Sequence, residues 1–204
     1  MLGQRSLKAL LTVSAVALAS CSIGSVAQAQ GAKMKPATGA QKVFRLTSSS
    51  FKDGQLMPLK MANAGKEKNP NCVGQNVSPA LSWVNPPEGT KSYALLMFDP
   101  EGRPPGGVSH WVAYGIPVSV TGFAEGETSK DSNKYVGGKS LMGVGHYSGP
   151  CTPPGAPHHY TFVLMATDLE PAALKPGMTR DEVIKALEGH VKGATGLIGR
   201  FQHP

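Results

Sequence analysis

Two histidine-bearing apolar runs, each entered from a loop stiffened by proline and glycine, constrain this chain more than any other feature. The first loop, Asp99-Pro100-Glu101-Gly102-Arg103-Pro104-Pro105, leads to Ser109-His110-Trp111-Val112. The second, Gly149-Pro150-Cys151-Thr152-Pro153-Pro154-Gly155, leads to His158-His159-Tyr160. Proline fixes φ and has no N–H to give a ladder, so each loop must stand at the end of a strand and not inside one. Period-two alternation then decides which side chains meet. In Tyr93 to Asp99 the carboxylate closes the run, just before Pro100. In His110 to Ile116 the histidine is expected to share a face with Val112, Tyr114 and Ile116. In His158 to Leu164, His158 shares a face with Tyr160, Phe162 and Leu164, and His159 points the other way. One acid, two histidines and a phenol at strand ends beside rigid loops are the parts of a small polar pocket.

At these residues the chain resembles the phosphatidylethanolamine-binding protein family, and within it the bacterial branch called Raf kinase inhibitor-like or YbhB/YbcL-like. The resemblance rests on three blocks in the same order. They are Cys72-Val73-Gly74-Gln75-Asn76-Val77-Ser78-Pro79 running to Trp83, Asp99 to Pro117, and Gly149 to Asp168. It extends from about Val43 to Phe201, and three positions depart from the family pattern: Glu101 stands for Asp, Thr152 for Pro and His159 for Arg. Strand parity puts His159 off the pocket face, whereas Thr152 lies near the ligand. The resemblance implies a mainly β fold, an antiparallel Greek-key sandwich with one or two peripheral C-terminal helices. It also implies a small cavity for phosphate-like head groups, built here from Asp99, His110, Gly149, Pro150, Pro153, His158 and Tyr160.

Composition agrees with one domain. In 204 residues, 40% hydrophobic and 16% charged, there is enough apolar chain for a single core, and 25 Gly with 17 Pro favour short strands and many turns. Arg5 and Lys8 precede the apolar run Ala9 to Ala19, which is short for a bilayer span and shaped like a secretory signal. The expected organisation is a signal peptide over 1–29, a flexible linker over 30–41 and one domain over 42–204. Two cleavage readings stay open. Leu18-Ala19-Ser20-Cys21 is a lipobox that would place a lipid on Cys21 and give an outer-membrane lipoprotein, whereas Ala27-Gln28-Ala29 would release a periplasmic protein starting at Gln30. Loss of Arg5 and Lys8 lowers the net charge of +7 by two, and the remaining basic residues, Lys60, Lys66 and Lys68 among them, form no aromatic-interleaved patch for nucleic acid. Export also leaves Cys72 and Cys151 as an even pair in an oxidising compartment. Since both sit in the motif blocks, a disulfide is expected over two buried thiols.

The chemistry this suggests is non-catalytic binding of a small anion or phospholipid head group, with no cofactor. Asp99 beside His110 or His158 is expected to raise the histidine pKa and favour imidazolium, which with the Tyr160 hydroxyl and the Gly149-Pro150 loop can hold a phosphate or carboxylate. Other classes have thinner support. Cys151 with His158, or Ser109 with His110, could suggest a hydrolase, but no G-x-S-x-G is present and neighbours on a strand face apart. Asp99, His110 and His158 could form a two-histidine, one-carboxylate metal site. A role as a kinase or protease inhibitor rests on the family name alone. Elsewhere, Val43 to Leu46 and Phe51 to Pro58 read as opening strands around a turn at Asp53-Gly54. Thr179-Arg180-Asp181-Glu182 is a capping box for a peripheral helix that Gly189 stops. His146, His190 and His203 have no partner by spacing.

Overall fold

The computed structural model describes residues 42–204, so the signal segment, Cys21 and the linker lie outside the described residues. Two antiparallel sheets carry the fold. The smaller has the order β1-β2-β5, from strands β1 (Arg45–Thr47), β2 (Leu81–Val84) and β5 (Gly122–Phe123). The larger has the order β6-β4-β3-β7-β8, from β3 (Ser92–Asp99), β4 (Val108–Pro117), β6 (Val136–Gly137), β7 (His158–Thr167) and β8 (Val191–Phe201). This is the mainly antiparallel, two-sheet architecture expected.

Alternation along the central strand β3 explains how the layers assemble. Tyr93, Leu95 and Met97 turn toward the smaller sheet and join Trp83, Trp111, Phe123 and Phe162 in the main core. Ala94 and Leu96 turn the other way, into a second cluster with Val183 of the helical segment and Leu187 at its C-cap. That segment is α1 (Arg180–Ala186), whose capping box forms as expected: the Thr179 hydroxyl accepts from the Glu182 amide, and the Glu182 carboxylate accepts from the Thr179 amide. With both faces covered, nearly all of β3 is buried, and its last residue is carried with it. That residue is Asp99.

Strand β4 departs from simple alternation. Its pairing with β3 runs Leu95↔Ala113, Leu96↔Val112, Met97↔Trp111 and then Phe98↔Ser109, which leaves His110 as an extra residue. A second irregularity falls between Tyr93↔Ile116 and Leu95↔Ala113, where Gly115 takes φ +60° and an added Cβ would lie 2.2 Å from the Pro171 carbonyl oxygen. Each bulge inverts the parity beyond it. The expectation that His110, Val112, Tyr114 and Ile116 share one face is therefore corrected. Trp111, Ala113 and Ile116 face the main core, Val112 and Tyr114 face the helix cluster, and His110 packs edge-on against Tyr160 at 5.0 Å between ring centroids. Strand β7 has no such defect beside the site, and Tyr160, Phe162 and Leu164 share the core face as alternation requires.

A second correction concerns Phe51 to Pro58, which forms no strand. It is a loop that buries Phe51 and Met57 and shields the open edge of β8. The Asp53 carboxylate accepts from the Ile198 amide at 2.8 Å, and the Gly54 and Met57 amides donate to Ile198 and Arg200 carbonyls.

Cys72 and Cys151 are joined by a disulfide that closes a stretch of 79 residues, as the sequence led us to expect. It ties the first motif block to the third. Replacing both cysteines by alanine is expected to lower stability by about 2–4 kcal/mol in urea unfolding, because the open chain regains loop entropy in its unfolded state. An unchanged midpoint would show that the cross-link constrains little.

Candidate functional site

At the open ends of β3, β4 and β7 lies a cavity of about 470 Å³, within the usual size of small-molecule sites. Asp99 is its anchor. The side chain is buried, and an ionised carboxylate cannot stay dry without partners. Oδ1 accepts the amides of Glu101 and Gly102 at 2.9 and 3.1 Å, folding the proline loop back over the strand end. Oδ2 meets His158 Nδ1 at 2.7 Å. With Nδ1 given to the carboxylate, Nε2 of His158 is the ring atom left for a ligand.

His110 behaves differently from expectation. Its Nδ1 lies 2.9 Å from the Ser148 carbonyl oxygen, so this nitrogen carries the proton and donates, while Nε2 is an acceptor. Burial pushes the imidazole below its ordinary value, and the Ser148 contact and the Asp99 charge only partly offset that. The expected Asp99-stabilised imidazolium is thus corrected for His110: the carboxylate bonds His158, and dry packing keeps His110 neutral. Tyr160 lines the cavity, and burial together with the Asp99 charge raises its phenol well above the ordinary value, so it stays an O–H donor.

The third-block loop supplies walls more than donors. Gly149 lines the cavity, yet its amide already donates to Asn76 Oδ1 at 2.8 Å. Glycine is needed there because a Cβ would fall 2.0 Å from the Met61 carbonyl oxygen. Pro150 is buried behind the lining, where its carbonyl accepts the Asn63 amide. Pro153 and Thr152 do line the cavity. Sequence reading passed over Lys68 and Arg103, which also line it, and the exposed apolar pair Leu141 and Met142 at its rim. Arg103 stood inside a quoted motif and Lys68 inside a noted lysine cluster, but spacing alone did not bring them to the same opening.

Two of the departures from the family pattern meet each other. Glu101 Oε1 lies 2.6 Å from His159 Nδ1, and the His159 amide donates to Oε2 at 3.2 Å. Partial burial opposes ionisation of Glu101, but the His159 ring and amide outweigh it and hold the carboxyl at about 2. Glutamate is one methylene longer than aspartate and histidine shorter than arginine, and in this chain the two meet in an acid–base contact. Two of the three remaining histidines also find acids that spacing did not suggest: His146 pairs with Asp131 and His190 with Asp168, while His203 Nδ1 lies 2.9 Å from the Pro204 carbonyl oxygen.

The alternative chemistries fare as follows. Cys151 is spent in the disulfide and offers no thiolate. Ser109 lines a neighbouring depression, not the cavity that His110 lines. Among the described residues, the group able to present ligand atoms to a metal within 4.8 Å of one another is Asp99, Glu101 and His158, without His110; Asp99 and His158 already bond each other, and Glu101 bonds His159.

The family model described as phosphatidylethanolamine-binding protein matches residues 47–202. The chain belongs to that family. A UPF0098 protein of Aquifex aeolicus is 34% identical over 173 residues, covering 83% of this chain and 94% of the relative. The UPF0098 protein YbcL of Escherichia coli is 34% identical over 132 residues, 62% of this chain and 70% of that one. Its crystal structure, described as a new member of the mammalian PEBP family, is similar with a TM-score of 0.70 at 29% identity, covering 78% of this chain and 98% of that chain. A putative homologue from Chlamydia trachomatis, CT736, gives 0.66 at 30% identity, over 79% of this chain and 98% of its own. The chain therefore stands in the YbcL-like bacterial branch of the PEBP family.

His110 gives a stability prediction for this PEBP-family domain. Its pKa is depressed in the fold, so the unfolded chain, with an ordinary imidazole at 6.5, binds more protons below that point. Stability should be full above 6.5 and fall as pH drops through the window between that value and the lower folded one. His110→Gln should shrink the loss in urea midpoint between about pH 7.5 and pH 5.5. An equal loss in the variant would show that His110 is not held neutral. A companion titration should find the Glu101 carboxyl near 2 by NMR, and His159→Ala should return it toward 4.5.

Proposed function

We propose that this protein binds a small phosphate-bearing or carboxylate ligand, such as a lipid head group, without transforming it, and does so in the bacterial cell envelope. PEBP membership supports ligand binding in general. The observation that carries the anionic reading is the Asp99–His158 pair, in which a buried carboxylate orients an imidazole that lines a cavity also lined by Lys68 and Arg103. With Nδ1 committed to that carboxylate, the ring turns its Nε2 toward the ligand beside the two cationic side chains. Tyr160 adds a neutral donor, and His110 Nε2 adds an acceptor suited to an N–H or O–H of the ligand. The envelope location is supported by the basic start and apolar run of the signal-like segment, and by a disulfide in the fold.

The test is calorimetric titration with dimethyl phosphate, a diester whose single charge is constant across about pH 5 to 8. Affinity should rise as pH falls, since only the protein gains charge. His158→Ala should flatten this dependence and cost about 1–3 kcal/mol of binding, the scale of a charge-assisted hydrogen bond. Asp99→Asn keeps an acceptor for the Glu101 and Gly102 amides, so it should fold while binding weakens at neutral pH. Flat affinity in the native protein, or binding untouched by His158→Ala, would remove the anion from this cavity.

A further inference from the structure

We propose that the cavity continues into a second, cationic groove, and that the ligand of this protein carries two anionic groups, one for each compartment. This inference rests on the anion reading of the cavity given above. The groove is a separate depression of about 440 Å³, and Arg103, Val108 and Leu141 line both it and the cavity, so the two adjoin along a shared wall. Its own cations are Lys139 and Arg180, which line it together with Arg103 and one carboxylate, Asp181; beyond the lining, the Glu182 carboxylate also feels Lys139. A second anion placed there neutralises an excess of positive charge that the fold otherwise leaves facing water.

Arg180 is held for such a role. Its guanidinium stacks 5.1 Å above the centre of the Phe98 ring, and Nε donates to Asp181 Oδ1 at 3.1 Å, which leaves the terminal N–H groups to bond an oxyanion. The arginine is mostly buried against this ring, whereas Asp181 stands out in solvent where its charge is screened. Phe98 is the residue before Asp99 on β3, so the ring beneath Arg180 and the carboxylate behind His158 come from opposite faces of one strand end. Lys139 is fixed at its backbone by pairing with Thr179 and by its amide donating to the Met178 carbonyl, and its side chain is in no ion pair among the described residues. Ser109, next to the bulged His110, lines this groove while His110 lines the cavity. The two compartments thus adjoin at this end of β4, with Ser109 in one and His110 in the other.

The experiment compares alkylphosphonates with alkane-α,ω-bisphosphonates of increasing chain length at neutral pH and low salt. Monophosphonate should bind the native protein and lose affinity in His158→Ala. At one favoured length, the bisphosphonate should bind roughly tenfold more tightly than the monophosphonate, the gain of a further charge-assisted contact, and the gain should shrink as salt is added. Lys139→Gln and Arg180→Gln, separately, should each erase much of that gain and leave monophosphonate affinity unchanged. Lys139→Gln removes only an exposed ammonium, so its effect is readable even where loss of Arg180 disturbs the Phe98 stack. Equal affinity for the two ligand types at every length, or a gain that survives both substitutions, overturns the second groove. Monophosphonate binding indifferent to His158→Ala overturns the cavity assignment instead, and the two failures are told apart by which variant is silent.

Discussion

A carboxylate kept dry at the end of the central strand organises this molecule around itself. Asp99 is buried because β3 is covered on both faces, and burial obliges it to gather hydrogen-bond donors. Those donors come from two directions: the amides of Glu101 and Gly102 bend the proline loop back, and the His158 ring fixes the entry to β7. The cavity is the space left between them. Without that side chain's acceptor oxygens, nothing in the apolar packing would specify where that loop lies or which way the imidazole turns. The cost of a buried ion is offset by these hydrogen bonds at the mouth of the cavity.

Much of this was legible in the chain itself, and the parts that were not share a cause. Parity along β7 correctly placed Tyr160, Phe162 and Leu164 together and His159 apart, because no bulge interrupts that strand near the site. The capping box at Thr179 and the pairing of Cys72 with Cys151 depend on local pattern or on counting, and both hold. Along β4 parity misled, since two inserted residues leave little local mark beyond Gly115. Phe51 to Pro58 has the apolar content of a strand but spends it anchoring a loop over the edge of β8. Contacts such as Glu101 with His159, separated by 58 residues, belong to tertiary structure and have no spacing to betray them.

Charge state followed the same division. A histidine near an acid suggests a raised pKa, yet two histidines near one acid do not share it equally. His158 takes the direct contact, while His110, pressed against Tyr160 and donating to a carbonyl, is left with desolvation as the larger influence. The difference turns on which ring lies behind the other, a matter of depth that a linear pattern does not carry. It gives the cavity one imidazole bonded to a carboxylate and another bonded to a backbone carbonyl, so its two sides present unlike neighbours.

The cross-link between Cys72 and Cys151 makes a covalent ring of the chain between them, and that ring contains the Asp99 loop, His110 and the rim residues Leu141 and Met142, while His158 and Tyr160 follow just outside. A single cut in its exposed turn around Lys130 and Asp131 would open the ring without separating the pieces. Both fragments would remain tethered at the cavity wall itself, with each new end far from it along the chain. A protease working in an oxidising compartment could therefore nick this protein and leave a two-chain molecule with its pocket still assembled, coming apart only where a reductant also reaches the cystine.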